Sequence, residues 1–168
     1  YYGTAVADEA MRATGAALGD CDDLIMEVTV TNTGSVAGKE IVQVYLQQPV
    51  SDTDEAHHVE KPSVQLIGYG KTDILERGES ETLEIEIDAN KWFASYDDDL
   101  QDADGNVVGG YVLSQGNYYL TAARNSHEAV NSIYKATHTG ELPAAFDDEY
   151  GAGDAGNVAT VNVSAARS

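Results

Sequence analysis

"LERGESETLEIEID", residues 75–88, decides the fold. After a turn signal at Arg77–Gly78, apolar and acidic side chains alternate with a period of two. Leu83, Ile85 and Ile87 fall on one side, and Glu84, Glu86 and Asp88 on the other. Successive side chains of a strand point to opposite faces of its sheet, so the pattern predicts a half-buried strand with the three aliphatic residues facing a core.

The same period recurs on either side of this stretch. "DLIMEVTVTNTG" (23–34) sets Leu24, Met26, Val28 and Val30 against Ile25, Glu27, Thr29 and Thr31, and closes on an Asn-Thr-Gly turn signal. "GKEIVQVYLQQP" (38–49) sets Val42, Val44 and Leu46 against Ile41, Gln43, Tyr45 and Gln47. Pro49 ends that strand because proline cannot donate to a ladder. "SVQLIGYGKTDI" (63–74) is a shorter strand in which Gly68 and Gly70 mark a bulge or sharp bend. "VVGGYVLSQGNYYLTAAR" (107–124) predicts a hairpin, with Tyr111–Leu113 returning through Ser114–Asn117 into Tyr118–Ala122. In "NSHEAVNSIYKA" (125–136), Ala129, Ile133 and Tyr134 stand at helical spacing and predict a short helix. Short strands with turn signals roughly every 8–12 residues predict an all-β fold, an antiparallel β-sandwich of immunoglobulin or fibronectin type III character over residues 22–136. Residues 1–21 read as a lead-in with room for a first strand. Residues 137–168, dominated by Gly, Ala, Asp and Ser, lose the strand pattern and are expected to form an irregular linker or docking tail.

Composition sets limits on function. The chain of 168 residues suits one domain. Its 9 basic and 29 acidic residues leave a net charge of −20, which repels nucleic acid phosphates and anionic lipid surfaces. Cys21 is the only cysteine, so no internal disulfide and no thiolate metal cluster can form. No apolar stretch approaches the length of a membrane span and no N-terminal signal pattern is present; the opening "YYGTAVADEA" reads as a segment of something longer.

Three stretches carry a resemblance: "VTVTNTGSVAGKEIVQVYLQQP", "EKPSVQLIGYGKTDILERGESETLEIEID" and "GYVLSQGNYYLTAARNS". The motif residues are Val30, Asn32, Thr33 and Gly34; Gly38–Tyr45; Pro62, Leu66, Gly68 and Tyr69; Leu75, Gly78, Glu79 and Ser80; and Gly116 and Tyr118. In this order, over about residues 22–124, they resemble the fibronectin type III-like domain of family 3 glycoside hydrolases, the β-glucosidase family. The stretch from Trp92 to Glu128 also resembles members in which this module precedes the catalytic barrel, which would make the tail a linker into that barrel. The resemblance implies a non-catalytic accessory module whose partners are the catalytic barrel and α/β domains of the same polypeptide. In that family the nucleophilic Asp belongs to the barrel and the acid/base to an α/β domain or a loop. No stretch here matches the nucleophile motif, so no catalytic residue is carried over. The alternative is a stand-alone fibronectin-like binding or adhesion module of a surface protein.

The most chemically suggestive stretch is "YDDDLQDADGN" (96–106), with five aspartates. A glycosidase needs two carboxylates about 5–10 Å apart across a sugar ring, one of them with a raised pKa. Asp97, Asp98 and Asp99 are adjacent on an extended chain and point away from one another. Trp92, Tyr96, Asp97 and Asp98 are candidate substrate contacts, acting through a parent enzyme, while Trp92 and Phe93 at strand spacing also suit a core. Calcium is the one cofactor considered, with Asp102, Asp104 and Asn106 as candidate ligands. The helix–loop–helix signature fails: with Gly105 at its sixth position, the first falls on Leu100 and the twelfth on Tyr111. A solvated, charge-rich loop is the simpler expectation. His57–His58 read as loop histidines, since adjacent imidazoles rarely converge on a metal without partners. "GAGDAGN" (151–157) lacks the lysine and helix of a phosphate loop, and Asn162-Val163-Ser164 is a formal glycosylation acceptor.

Overall fold

The computed structural model describes residues 2–3, 24–139, 143 and 151–166. Most of the lead-in, Cys21 included, and most of 140–150 lie outside the described residues. Among the described residues nine strands follow in chain order: β1 (Tyr2–Gly3), β2 (Leu24–Thr31), β3 (Ile41–Gln47), β4 (Gln65–Lys71), β5 (Ser80–Ile87), β6 (Ser95–Asp97), β7 (Gly110–Val112), β8 (Gly116–Ala123) and β9 (Val158–Val163). The helices among the described residues are α1 (Asp52–Ala56), α2 (Ala89–Trp92) and α3 (Ser126–Thr137), with a 3-10 turn at Ala155–Asn157.

All pairings are antiparallel, and the sheets run β1-β2-β5, β4-β3-β8-β9 and, as a separate ribbon, β6-β7. The first two face each other across one core. Leu24, Met26, Val28 and Val30 of β2 and Ile85 and Ile87 of β5 meet Val42, Val44 and Leu46 of β3, Tyr118, Leu120 and Ala122 of β8, and Val161 and Val163 of β9. This is the β-sandwich that the alternation predicts. Phe93 stacks on Tyr118 at 4.9 Å between ring centroids and caps the core from the α2 side.

The turns follow from their side chains. Asn32 of the Asn-Thr-Gly signal donates through Nδ2 to the carbonyls of Val36 and Leu75 and accepts from Gly34 N–H, tying the β2–β3 connection to the β4–β5 connection. The expected irregularity in the fourth strand is a register shift between Val44 and Tyr45 that leaves Ile67 unmatched on β4, next to Gly68. A Cβ on Gly70 would sit 3.1 Å from Leu83 Cδ1, so the missing side chain lets β4 lie against β5.

Two expectations are corrected. The stretch Tyr111–Leu113 does not fold back onto Tyr118–Ala122. Both edges of β8 are already taken, by β3 and by β9, and β7 pairs with β6 instead. The strand-free tail also gives way, because Val158–Val163 forms β9 with Ala159, Val161 and Val163 turned into the core. The glycines that suggest a linker serve to lay the chain across α3. Gly153 has φ +71, and a Cβ there would come within 2.4 Å of Ser132 N. Asn131 Nδ2 donates to Gly151 O at 2.8 Å and Asp154 N–H to Ser132 Oγ at 3.0 Å, anchoring the segment before it enters the sheet. The predicted helix is present as α3, with Ala129 and Ile133 buried.

Because β9 is part of the sandwich, Val161→Ala removes two methyl groups from a packed site and is expected to lower unfolding free energy by about 1–3 kcal/mol. Urea denaturation measures this; a loose tail would give no change.

Candidate functional site

The acidic stretch is the outer end of the β6-β7 ribbon. Ser95, Tyr96 and Asp97 pair with Val112, Tyr111 and Gly110, and a bridge between Gln101 and Val107 continues the ladder toward the loop. Asp102 closes that loop from within. Its Oδ1 accepts the backbone N–H groups of Asp104 and Asn106, each at 2.9 Å, and the Asn106 side-chain amide reaches Oδ2 at 3.1 Å. The Asn106 donors foremost hold the Asp102 carboxyl below the usual carboxylate range. Asp102 and Asn106, two of the three candidate calcium ligands, therefore bond to each other, and Asp102 spends its oxygens on the turn. Among the described residues no group of three His, Cys, Asp or Glu side chains is arranged to hold a metal ion.

The four candidate substrate contacts are separated by the fold. Trp92 is half-buried against the core, with Lys91 Nζ 4.7 Å from its ring centre. Asp97 is buried, and its Oδ2 lies 2.7 Å from His57 Nδ1. Its Oδ1 accepts Asp99 N–H. Tyr96 and Asp98 remain at the surface; the Tyr96 ring meets Tyr111 edge-on at 5.4 Å and is 56% exposed.

Beneath them lies a polar network that the linear sequence does not reveal. Ser51 caps α1 in a reciprocal capping box with Asp54. Asp54 also receives Lys61 Nζ at 2.8 Å, both side chains being over nine-tenths buried. Lys61 donates further to Pro49 O and to Ser114 Oγ, and the Ser114 hydroxyl donates a hydrogen bond to Asp54 Oδ1. Burial pushes the Asp54 carboxyl up, but hydrogen bonds from Lys61, Ser51 and Ser114 outweigh it and hold the group low. Loss of one partner from such a pair leaves a charge stranded away from water, at a cost of roughly 3–5 kcal/mol. Gln48 completes the brace: it donates to Trp92 O and Phe93 O and accepts from Ser95 Oγ. The 48–61 loop is thus fastened to β6 and to Ser114, just past β7.

His57, read from sequence as a loop histidine, is the residue that reasoning missed. Its partner lies 40 positions away, and only the S-x-x-D capping pattern at Ser51 hints that the loop is ordered. The hydrogen bond to Asp97 holds His57 above the ordinary imidazole range against some opposing burial, and the charges of Asp97, Asp99 and Asp54 add to it. The other histidine, His58, has φ +58 just past α1, where Val59 N–H closes back on Asp54 O at 2.8 Å. Glycine favours that left-handed position.

Beside β6 the surface forms an open groove. It is lined by His58, Glu60, Pro62 and Gln65, from the loop after α1 and the start of β4, and by Ser95, Tyr96 and Asp98, from β6 and the residue after it.

Comparison with known proteins places this arrangement. Residues 40–126, just over half the chain, match the model of the fibronectin type III-like domain. The chain belongs to that family. Its fibronectin type III-like fold aligns with "beta-glucosidase 3B" from Thermotoga neapolitana at a TM-score of 0.55 and 23% identity, covering 88% of this chain and 15% of that one. In sequence it is 37% identical over 108 residues to a "Beta-glucosidase" of Ruminococcus albus, covering 64% of this chain and 10% of the relative. It is 40% identical over 100 residues to "Beta-glucosidase A" of Butyrivibrio fibrisolvens, covering 59% and 11%. The chain thus spans about a tenth of the length of these relatives.

The His57–Asp97 contact makes stability depend on pH in a definite direction. A raised folded-state pKa contributes stability that is complete below the ordinary value of 6.5 and fades as pH rises through the folded value. The stability gap between wild type and His57→Gln is expected to be widest below pH 6.5 and to narrow as pH rises above it in urea titrations, and a constant gap would contradict the pairing. Millimolar Ca²⁺ is expected to leave the melting temperature unchanged. A rise that Asp102→Ala and Asp104→Ala abolish would overturn the reading of Asp102 as a turn closure.

Proposed function

We propose that this fibronectin type III-like domain is the non-catalytic accessory module of a family 3 β-glycosidase, with a β-glucosidase as the parent. It packs on the barrel and α/β domains of the same polypeptide, stabilises them and helps shape the substrate entrance. The observation that carries this reading is the extended identity to proteins named β-glucosidase, 37–40% across the module, which a shared sandwich topology alone does not require.

The site chemistry supports an accessory role. The buried carboxylates among the described residues, Asp54 and Asp97, are committed to Lys61 and His57, so neither is a free acid or base facing a sugar. The catalytic residues of the parent then lie outside this chain, and carbohydrate reaches the module only at its surface.

On this reading, the purified chain releases no more chromophore from a chromogenic β-glucoside than a boiled control. The reading frame that contains it encodes a barrel with a catalytic aspartate. Turnover by the chain alone, or a frame that continues into further sandwich repeats, would count against the proposal.

A further inference from the structure

We propose that the groove beside β6 is a binding subsite for a neutral pyranose sugar, with Tyr96 as the stacking face and Asp98, Glu60, His58 and Gln65 as hydroxyl partners.

The groove has the necessary shape and chemistry. Its volume is about 510 Å³, within the roughly 300–1,000 Å³ of small-molecule sites. Tyr96 leaves more than half of its surface in solvent, and a pyranose offers a patch of C–H bonds that an aromatic face can cover. Asp98 and Glu60 accept from sugar hydroxyls, the Gln65 amide both donates and accepts, and the His58 imidazole can do either. The chain's charge of −20 makes an anionic ligand a poor fit here, whereas a neutral polyol meets no such repulsion.

Two features of the fold distinguish this groove from an ordinary surface furrow. Both contributing segments are held by hydrogen bonds. Glu60 stands next to the buried Lys61, Ser95 bonds to Gln48, and Tyr96 and Asp98 flank Asp97, which is fixed by His57. Such support limits the ordering entropy that a ligand would otherwise meet. Second, His58 occupies a left-handed position where glycine would be easier, while its side chain is exposed and lines the groove. Histidine is one of the few side chains enriched in that region, and here the conformation ends α1 while placing His58 on the groove.

The sugar class follows from the groove itself; only the choice of a β-glucan as first probe rests on the accessory-module reading. The test is an amide chemical-shift titration of the 168-residue chain with cellotetraose and, separately, maltotetraose. Saturable shifts centred on Tyr96, Asp98, Glu60 and Gln65 are expected with at least one of them. Tyr96→Ala is expected to weaken binding about tenfold, the contribution of one aromatic face, while Tyr96→Phe retains it. His58→Gly is expected to raise the melting temperature and weaken binding, a combination that a merely structural residue would not give. No groove shifts with either sugar, or shifts unchanged by Tyr96→Ala in a folded variant, would overturn the subsite. That failure would leave the accessory-module reading to its own test, the reading frame. Binding of maltotetraose alone would uphold the subsite and count against a β-glucan ligand.

Discussion

A single buried ammonium organises one end of this molecule. Lys61 Nζ is removed from water and surrounded by three oxygen partners, the Asp54 carboxylate, the Ser114 hydroxyl and the Pro49 carbonyl. An unpaired charge in that position would be prohibitively unfavourable, so the segments that supply these oxygens must arrive together. They come from the end of β3, from α1 and from the residue that links β7 to β8. The loop between β3 and β4 is therefore a strap whose geometry is set by electrostatics, whereas the sandwich beside it is set by aliphatic packing. The ribbon, the groove and the orientation of Tyr96 all inherit their positions from that strap.

Tyr118 joins these two regimes. Its ring lies in the core against Phe93, and its hydroxyl donates to Ser114 O at 3.0 Å. Burial pushes its pKa up, so it stays a donor across the ordinary pH range. One side chain thereby anchors the polar strap to the apolar core and keeps the two from moving independently.

How much of this is legible in the sequence depends on the range of the interactions. β2, β3 and β5 are readable because their inward and outward residues differ in polarity at every step, and the structure buries Leu24, Met26, Val28, Ile85 and Ile87 accordingly. α3 is readable for the same local reason. β9 is hidden because "VATVNV" follows a Gly-rich stretch whose purpose, contact with α3 at Gly153, is tertiary. The supposed 107–124 hairpin fails because the competing partners of β8 come from residues 43–47 and 158–163, outside any local window. The ion pairs of Asp54 with Lys61 and of His57 with Asp97 leave no periodic trace at all. Among the candidate site residues, Tyr96 and Asp98 reach the surface, while Trp92 and Asp97 turn inward because α2 and His57 claim them.

The docking of β9 has a consequence for how the polypeptide can be cut. Without that strand, the backbone amides and carbonyls of β8 from Gly116 to Thr121 would lose their partners on one side. A central, strongly apolar strand carrying Tyr118 and Leu120 would then become an open edge, the template on which other chains add by β-pairing. Trimming the module at the end of α3, where composition alone suggests a boundary, would make β8 the edge of its sheet in place of β9 and favour self-association.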